Sequence, residues 1–475
     1  MNSDRSAARE SSSGEFTNAP GRAVVLGAGI AGLLAARVLS EHFADVLLVE
    51  RDPLDTEGPR RGVPQGRHLH GLLDRGRTIL EQLYPGFTSE ATELGAGTAE
   101  ALVGTRWYLG GLRAAPTATG LTSLMATRPL LEAVIRRRTL ATPGIRWCAG
   151  AAHGLLGDAD EVRAVLLSGD SGVRPEAAEL IVDATGRGSR APEWLIALGA
   201  CAPAEERLEV GLGYASTLIP HVEGRLDGHR SVIISTGADG RGGGAIRVEG
   251  DRWHVTLAGM LGDHPPTDPA GFAAFAATLA APDIHGLIAA AESAGHRSGT
   301  AQRQRAIVPH KFRSPVRRRF DRLKSVPRGF VVLGDALCSF NPLYAQGMTV
   351  AAQQAIVLRD CLAAGGRADL PARFYSAASD VVDVAWRLSA GSDLANPAVP
   401  GPRGLRIRLT NAYVARAHRA AHVDPVVSRT FLRVANLVEP PTALLRPDLA
   451  RRILWRRDHR IGRVAEPPAV ADPTG

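Results

Sequence analysis

The stretch that decides the fold is Ala23-Val24-Val25-Leu26-Gly27-Ala28-Gly29-Ile30-Ala31-Gly32, close to the start of the chain. Its apolar first half predicts a short buried strand, and its three glycines predict a tight turn that opens a helix. Apolar residues then recur with helical spacing from Leu33 to about His42. A second apolar run, Val46-Leu47-Leu48-Val49-Glu50, predicts another strand. Strand, glycine turn, helix and strand together make a βαβ unit.

The glycine spacing and the acid that follows it predict a dinucleotide site. Gly27 permits the tight turn, Gly29 lets the backbone approach a pyrophosphate, and Gly32 lets the helix pack against the strand. The N–H groups at the start of the helix are available to the phosphates. Glu50 ends the second strand and can accept hydrogen bonds from both ribose hydroxyls. A carboxylate there disfavours a 2′-phosphate, so the pattern predicts FAD or NAD rather than NADP.

A second motif, about 300 residues later, favours FAD. The apolar run Phe330–Leu333 predicts a buried strand that leads to Gly334-Asp335-Ala336, and Asn341-Pro342-Leu343-Tyr344-Ala345-Gln346-Gly347-Met348 leads into a helix. Asp335 can accept from a ribityl hydroxyl. Backbone N–H groups of Gly347 and Met348, at the positive end of that helix, would stabilise negative charge on an isoalloxazine ring. A nicotinamide ring needs no such group.

Between the two motifs the pattern of apolar residues changes. A helix is predicted over 129–138 and strands over 145–148, 162–167 and 180–182, the last of which leads to Asp183-Ala184-Thr185-Gly186-Arg187-Gly188-Ser189. From about residue 208 to residue 260 apolar and polar residues alternate, which predicts an antiparallel sheet with one covered face. After Pro402 the chain reads as helices interrupted by prolines.

These patterns predict the fold class and the domains. The class is α/β: a discontinuous Rossmann-like FAD-binding domain, an inserted antiparallel β-sheet substrate domain and a C-terminal helical region. The predicted segments are a disordered leader (1–20), the FAD-binding domain (21–103, 124–199 and 301–395), the substrate domain (104–123 and 200–300) and the C-terminal helical region (396–475).

Composition excludes several classes of function. The 475 residues contain only two lysines, Lys311 and Lys324, so a Schiff-base mechanism has two candidates. The four cysteines are scattered, which argues against disulfides and structural zinc and predicts a reduced, cytoplasmic setting. No apolar run is long enough for a transmembrane helix. The net charge of +8 lies in an arginine-rich tail, which we interpret as a solvated helical face rather than a nucleic-acid site.

Taken with Arg128 and the Asp183–Gly186 turn, the motifs resemble the FAD-dependent monooxygenases of the aromatic-hydroxylase and squalene-epoxidase type. The resemblance covers roughly residues 23–363, with the motifs in the family's order and spacing. It implies that Gly27, Gly29, Gly32 and Glu50 hold the ADP half of FAD and that Asp183 approaches the pyrophosphate. It also implies that Arg128 lies near the flavin, that Asp335 contacts the ribityl chain, and that Pro342, Gly347 and Met348 line the isoalloxazine.

A closer likeness lies at Arg60-Arg61-Gly62-Val63-Pro64-Gln65-Gly66-Arg67-His68-Leu69-His70, which looks like the actinomycete polyene epoxidases of polyether biosynthesis. This likeness implies that Arg61 and Gly62 lie beside the flavin, and Arg51 is assigned to the cofactor with them. The two histidines are interpreted as loop or ring-stacking residues. A metal site is not predicted, because two histidines at this spacing lack further ligands. A covalent bond from His68 to the flavin is an open alternative to non-covalent FAD.

The resemblance implies a monooxygenase that uses NAD(P)H and O₂ and acts through a C4a-hydroperoxyflavin. The implied substrate is a hydrophobic small molecule, free or bound to a carrier protein, and the reaction is epoxidation of alkenes in a polyether-type polyketide. No catalytic side chain is predicted, since the cofactor carries the chemistry. Substrate contacts are expected from the sheet around 208–260, including Tyr214 and Trp253, with the alternative that an aromatic residue on a strand more often packs in the core.

Four alternatives stay open at this point. One is hydroxylation of an aromatic or polyketide substrate, and another is a flavin-dependent reductase or dehydrogenase acting on isoprenoid-like chains. A separate flavin reductase could supply the electrons. The remote alternative is nucleic-acid or partner binding by the arginine-rich tail.

Overall fold

The computed structural model describes residues 21–54, 60, 62–169, 172–237, 239–297 and 306–455. The predicted leader lies outside the described residues. The helices are α1 (Ile30–Leu39), α2 (Asp74–Leu83), α3 (Phe87–Glu93), α4 (Arg128–Leu140), α5 (Ala191–Ala197), α6 (Pro269–Ala277), α7 (Asp283–Arg297), α8 (Gly347–Ala363), α9 (Leu370–Asp393), α10 (Leu405–Val423), α11 (Pro425–Ala435) and α12 (Pro447–Trp455). The strands are β1 (Arg22–Leu26), β2 (Asp45–Glu50), β3 (Gly97–Glu100), β4 (Thr105–Leu109), β5 (Leu112–Arg113), β6 (Thr122–Met125), β7 (Ile145–Ala149), β8 (Ala151–Gly157), β9 (Val162–Gly169), β10 (Gly172–Ala177), β11 (Leu180–Asp183), β12 (Glu205–Arg207), β13 (Leu212–Pro220), β14 (Ser231–Ile234), β15 (Arg241–Val248), β16 (Arg252–Gly259), β17 (Val308–Phe312), β18 (Val316–Arg318), β19 (Phe330–Val332) and β20 (Cys338–Ser339).

A five-stranded parallel sheet carries both sequence motifs. Its strand order is β19-β11-β1-β2-β7, and all four pairings are parallel. The middle strand β1 is fully buried from Ala23 to Val25, because helices cover the sheet and leave no polar face. Helix α1 packs against α4 and α8 beside the sheet. Strands β1, β2, β7, β11 and β19 therefore form one layer, although they are far apart in the sequence. This confirms the α/β class and the return of the chain to the first sheet.

The second large sheet has seven strands in the order β17-β13-β16-β15-β14-β4-β5. It is antiparallel except where β14 pairs with β4 in parallel, because β4 arrives from a separate excursion of the chain and no hairpin sets its direction. Helices α6 and α7 cover one face, and Trp253 lies in that core with 1% exposure. The expected substrate contact from Trp253 is therefore wrong, since its side chain packs on the helix-covered face.

One predicted domain boundary does not coincide with the edge of the seven-stranded sheet. Residues 104–123 contribute β4 and β5, within the segment assigned to the substrate domain. Strand β17, however, falls in the segment 301–395 and pairs with β13 of the seven-stranded sheet. The sheet thus extends to Phe312, beyond the proposed boundary at residue 300. The alternation of apolar residues could not give this pairing, because β17 is a short edge strand.

The C-terminal helices pack back onto the middle of the chain. Helices α10, α11 and α12 share a core with residues of the 101–121 segment, including Leu102, Leu109 and Leu121. A smaller apolar cluster lies between the seven-stranded sheet and the end of α9. Its members are Leu208, Val210, Leu212, Tyr214, Ala258, Met260, Phe312, Leu394 and Val399, with Leu343, Ala390 and Ile407 packed against them. We call this set the junction cluster.

Among the described residues, no helix combines the length and the apolar character that crossing a membrane requires.

Candidate active site

The glycine turn between β1 and α1 explains why each glycine is needed. Gly27 has φ +93°, and a Cβ built on it would lie 2.8 Å from the Ala184 carbonyl oxygen. A Cβ on Gly32 would lie 1.8 Å from the Gly27 carbonyl oxygen. A Cβ on Gly29 would meet nothing within 4 Å. Two glycines therefore allow backbone segments to pack together, whereas the third faces open space that a ligand can approach.

The start of α1 is suited to an anion. The first N–H groups of any helix lack intrahelical partners, and α1 has neither a side-chain cap nor an acidic residue in its first turn. The positive end of the helix dipole therefore points at the open space beside Gly29. A pyrophosphate fits this position by charge and by its number of acceptor oxygens.

Glu50 is held by several hydrogen bonds at the end of β2. Its Oε2 accepts from the backbone N–H of Ala28 at 2.8 Å and from Nη1 of Arg60 at 2.9 Å. Its Oε1 accepts from the backbone N–H groups of Arg51 and Asp52. A carboxylate has about four acceptor positions, and these four donors fill them, so Glu50 braces the glycine turn and a ribose hydroxyl would have to share or replace one of these donors.

Arg60 joins two carboxylates beside the glycine turn, and sequence reasoning did not assign it to the site. Its Nε donates to Glu132 Oε1 at 2.6 Å, and its Nη2 donates to the Ala28 carbonyl oxygen at 2.9 Å. Its side chain is 2% exposed. Burial lowers the pKa of Arg60, but the Glu132 and Glu50 carboxylates outweigh burial and raise it. The signal in the sequence was the arginine pair at positions 60 and 61, of which only one was interpreted.

Arg128 opens α4 and lines a cleft next to Arg60. Its Nε donates to Glu132 Oε2 at 3.2 Å, and its side chain is buried. The cleft is lined by Arg60, Val63, Gly66, Arg128, Pro129, Glu132 and Arg136. Three arginines and one glutamate give the lining a net positive charge, which fits a phosphate-bearing ligand.

The remaining residues of the loop after β2 have simple structural partners. The backbone N–H of Gly62 donates to Asp52 Oδ2 at 2.5 Å. A Cβ on Gly62 would lie 3.4 Å from Arg51 Nη2, which places Arg51 beside Gly62 on the exposed side of the loop. Arg61 lies outside the described residues, so its assignment to the flavin stays a prediction.

Asp183 ends β11 and shapes the turn that follows it. Its Oδ1 accepts from the backbone N–H and hydroxyl of Thr185, and its Oδ2 accepts from the Ser189 hydroxyl. The side chain has no exposed surface. Burial raises the pKa of Asp183 despite these three donors. Because both oxygens are used within the turn, Asp183 positions the turn, and Gly186 and Gly188 leave open space on its outer side.

Asp335 follows β19 in a tight turn that begins at Gly334, where φ is +66°. Its carboxylate has no hydrogen-bond partner among the described residues. Burial raises the pKa of Asp335, and the positive charges of Arg128 and Arg187 oppose that rise. A partly buried acceptor with two cations nearby and no donor fits a hydroxyl-bearing ligand such as a ribityl chain.

The cofactor loop, residues 341–347, connects this turn to the start of α8. Pro342 is exposed, Gly347 is half-buried and Met348 is 8% exposed. A Cβ on Gly347 would meet only Asp335 Oδ1, at 3.8 Å. Helix α8 starts without a side-chain cap or an acidic residue in its first turn, and the neighbouring Gln346 Oε1 is buried with no partner among the described residues. The open glycine and the free N–H groups fit the electron-rich edge of an isoalloxazine.

Of the two histidines in the loop after β2, His68 contacts the seven-stranded sheet, whereas His70 Nδ1 lies 2.9 Å from the His68 carbonyl oxygen. His68 is 2% exposed, and its Nδ1 lies 2.8 Å from the Ser216 hydroxyl. Its ring packs at 4.7 Å from Tyr214 and 5.5 Å from His310. Burial lowers the pKa of His68 to about 3 and that of His70 likewise to about 3, so both rings are neutral at physiological pH.

Tyr214, His310 and His68 form a group of three contacting rings beside the junction cluster. The rings of Tyr214 and His310 lie 5.1 Å apart on paired strands. Burial raises the pKa of Tyr214, and burial together with the nearby Arg187 lowers the pKa of His310. The Tyr214 hydroxyl has no hydrogen-bond partner among the described residues. Of the two aromatic residues expected at the substrate, Tyr214 therefore lies on the face of the seven-stranded sheet that is near the cofactor loop, and Trp253 lies on the face covered by α6 and α7.

Comparison with solved structures gives the fold. The flavoprotein/dehydrogenase from Cytophaga hutchinsonii matches with a TM-score of 0.64 and 15% identity over 91% of this chain and 98% of that one. The flavin-dependent brominase Bmp2 matches with a TM-score of 0.61 and 16% identity over 87% and 92%. OxyS anhydrotetracycline hydroxylase from Streptomyces rimosus matches with a TM-score of 0.57 and 17% identity over 88% and 76%.

Comparison of sequences gives the family. The squalene epoxidase family model matches residues 300–373, which contain the second motif. Kynurenine 3-monooxygenase from Salinispora tropica is 26% identical over 408 residues, 78% of this chain and 79% of that protein. Protein Rv3254 from Mycobacterium tuberculosis is 32% identical over 481 residues, 94% of this chain and 97% of that protein. The chain belongs to the FAD-dependent monooxygenases.

The monooxygenase family accounts for the unpartnered groups described above. Bound FAD supplies the redox chemistry, taking electrons from NAD(P)H and activating O₂. Four features are each suited to one part of that cofactor: the uncapped starts of α1 and α8, the arginine-lined cleft, and the Asp335 carboxylate, which has no hydrogen-bond partner among the described residues. The expectation of an FAD-dependent monooxygenase is therefore confirmed, whereas the narrower likeness to polyether epoxidases stays a prediction.

Proposed function

We propose that this monooxygenase epoxidises an alkene in an apolar polyketide intermediate of the polyether type. The observation that carries the proposal is the junction cluster, in which Leu343 of the cofactor loop packs against residues of the seven-stranded sheet that include Leu212 and Phe312. An apolar wall next to the cofactor suits an alkene chain and excludes water from the reacting atoms. The squalene epoxidase model over residues 300–373 supports the same reaction type.

We also propose how the chain holds FAD. The glycine turn and Glu50 bind the ADP half, and Arg51, Arg61, Gly62 and Arg128 surround the cofactor from the loop after β2 and the start of α4. The turn begun by Asp183 approaches the pyrophosphate through its backbone. Asp335 accepts from the ribityl chain, and Pro342, Gly347 and Met348 line the isoalloxazine. The chain contributes binding, orientation and exclusion of water, and no side-chain nucleophile is needed.

A second candidate is hydroxylation of an aromatic or polyketide substrate. Tyr214 and His310 present polar groups on the otherwise apolar wall, and His68 contacts both rings. Such groups can bind and orient a phenol or an enol, and deprotonation of a phenol aids aromatic hydroxylation. An isolated alkene needs neither function. The two reactions therefore differ in whether Tyr214 and His310 are required.

Mass spectrometry of products formed under ¹⁸O₂ tests the reaction. The holoenzyme is supplied with NADH and with NADPH in parallel, and with polyene polyketide or phenolic candidates, free and as carrier-protein thioesters. One labelled atom in an epoxide is the expected result, with activity retained in Tyr214→Phe. Label in a phenol together with loss of activity in Tyr214→Phe supports hydroxylation instead. Turnover without O₂ contradicts both and favours a reductase or dehydrogenase.

Cofactor content tests the FAD site separately. Asp335→Asn and Glu50→Gln are expected to lower the FAD retained on purification, because each removes a charged acceptor from the site. The matched control is Asp360→Asn, an exposed acid on α8 with a side chain 65% exposed. Equal FAD content in Asp335→Asn, Glu50→Gln and Asp360→Asn, measured from visible absorbance, contradicts the proposed site.

A further inference from the structure

The last residue of α9 is a buried aspartate that holds the cofactor loop. Asp393 is 1% exposed, and its Oδ1 accepts from Asn341 Nδ2 at 2.7 Å and from the Tyr344 hydroxyl at 2.8 Å. Both donors belong to the cofactor loop. The C-terminal end of a 24-residue helix therefore contacts the loop directly, from outside both large sheets.

The charge environment of Asp393 is unusual for a buried acid. Its other oxygen, Oδ2, has no hydrogen-bond partner among the described residues, and no ion pair reaches it there. The facing titratable group is Tyr344, and the cation near the end of α9, Arg403, donates instead to the carbonyl oxygens of Leu394, Asn396 and Val399. The negative end of the α9 dipole also disfavours the ionised form. Burial raises the pKa of Asp393 to about 6.

The cofactor loop needs such a restraint, because its backbone is strained. Ala345 has φ +53° and ψ 24°, in the left-handed region that a residue with a Cβ rarely adopts. Asn341 closes the loop by accepting from the backbone N–H of Leu343 at 3.1 Å through Oδ1. Its Nδ2 is the group bound by Asp393, so this contact also fixes the orientation of the amide. Strained backbone of this kind persists only where surrounding groups hold it.

We propose that Asp393 is a positioning residue that sets the cofactor loop, and with it the start of α8, against the isoalloxazine of FAD. It acts through Asn341 and Tyr344 and does not touch the substrate or the cofactor. The inference rests on the proposed placement of the isoalloxazine at this loop. It assigns to the C-terminal half of α9 a part in flavin binding that none of the sequence motifs indicates.

The test compares FAD binding and the flavin spectrum in holoenzyme variants. Asp393→Ala removes the acceptor for both loop residues and is expected to raise the FAD dissociation constant about tenfold, since two hydrogen bonds to a charged group are lost. Asp393→Asn keeps an acceptor oxygen and is expected to bind FAD within about threefold of wild type, a small difference in free energy. Tyr344→Phe is expected to fall between the two. The matched control is Asp380→Ala, an exposed aspartate on the same helix.

A pH profile separates positioning from a general role in folding. The visible spectrum of the wild-type flavin is expected to change with a midpoint near pH 6, the pKa of Asp393, and Asp393→Asn is expected to lack that change. If Asp393→Ala does not fold, Tyr344→Phe and the pH profile decide. The proposal is overturned if folded Asp393→Ala binds FAD as tightly as wild type. If Asp393→Ala is unfolded, wild-type FAD affinity in Tyr344→Phe overturns it instead. A pH profile of Asp393→Asn that is the same as that of wild type also overturns it. Absence of ¹⁸O label with altered FAD binding would instead refute only the proposed reaction.

Discussion

Replacing Arg60 with methionine tests the network beside the glycine turn most directly. The guanidinium bonds to Glu50, to Glu132 and to the Ala28 carbonyl oxygen, and its side chain is 2% exposed. Methionine has a similar length and no charge, so it fills the space while removing every donor. Glu50 and Glu132, whose side chains are 11% and 6% exposed, then lose the cation between them.

The expected cost follows from the burial of this network. Removing one partner of a buried ion pair leaves an uncompensated charge and costs about 3–5 kcal/mol in unfolding free energy. Glu132 keeps Arg128 as a partner, so the cost falls mainly on Glu50. The same substitution at Arg146 removes a pair with Asp45 in which the arginine is 52% exposed. Such an exposed pair contributes about 1 kcal/mol or less.

Urea denaturation followed by circular dichroism measures the difference, with FAD content recorded for each variant. Arg60→Met is expected to lose several times more stability than Arg146→Met. The double variant Arg60→Met with Glu50→Gln is expected to lose less than the sum of the single changes, because it removes the arginine together with the carboxylate that would otherwise lose its cation. If Arg60→Met and Arg146→Met lose the same free energy, within about 1 kcal/mol, the network does not brace the turn as described.

Four further substitutions give distinct results. Gly32→Ala is expected to unfold or severely destabilise the protein, because its Cβ would lie 1.8 Å from a carbonyl oxygen. Gly29→Ala is expected to melt like wild-type protein stripped of FAD and yet not bind FAD, because bound ligand itself raises the melting temperature. Calorimetry and visible absorbance check the pair, and a normal flavin content in Gly29→Ala contradicts the assignment. The free energy of unfolding of Asp393→Asn is expected to exceed that of wild type by about 3 kcal/mol at pH 8 and to match it near pH 4. Burial raises the pKa of Asp393 to about 6, so the wild-type protein loses stability as the pH rises and this group ionises. Urea titrations at both pH values measure the difference, and a difference that does not change with pH would refute the prediction. Ala345→Gly is expected to raise unfolding free energy by about 1 kcal/mol, since glycine relieves the φ of +53°, and a lower urea midpoint would argue against strain at this position.

The glycine turn shows what local sequence can predict. The pattern around Gly27, Gly29 and Gly32 depends only on neighbours within the same βαβ unit, so its backbone geometry follows from spacing alone. The same holds for α4, which was predicted over 129–138 and spans Arg128–Leu140. Residues that act through local backbone geometry were therefore found from the sequence.

Residues that act through distant partners were not predictable in this way. Arg60 gains its role from Glu132, 72 residues away, and Asp393 gains its role from Asn341, 52 residues away. The arginine pair at positions 60 and 61 does not show which of the two is buried, and Asp393 has no local pattern that distinguishes it from an exposed aspartate. The expectation that Trp253 contacts the substrate was wrong for a related reason. Alternation of apolar and polar residues along a strand does not show which of the two faces of the sheet helices will cover.

The order of strands in the parallel sheet has a consequence for synthesis on the ribosome. Strand β11 ends at residue 183, whereas its neighbour β19 begins at residue 330. Until that later segment has emerged, the outer edge of β11 has no partner strand and the proposed FAD site has no Asp335. If FAD binds as proposed, both parts of its site are complete only after most of the chain has been synthesised, and until then the edge of β11 is open to wrong pairing.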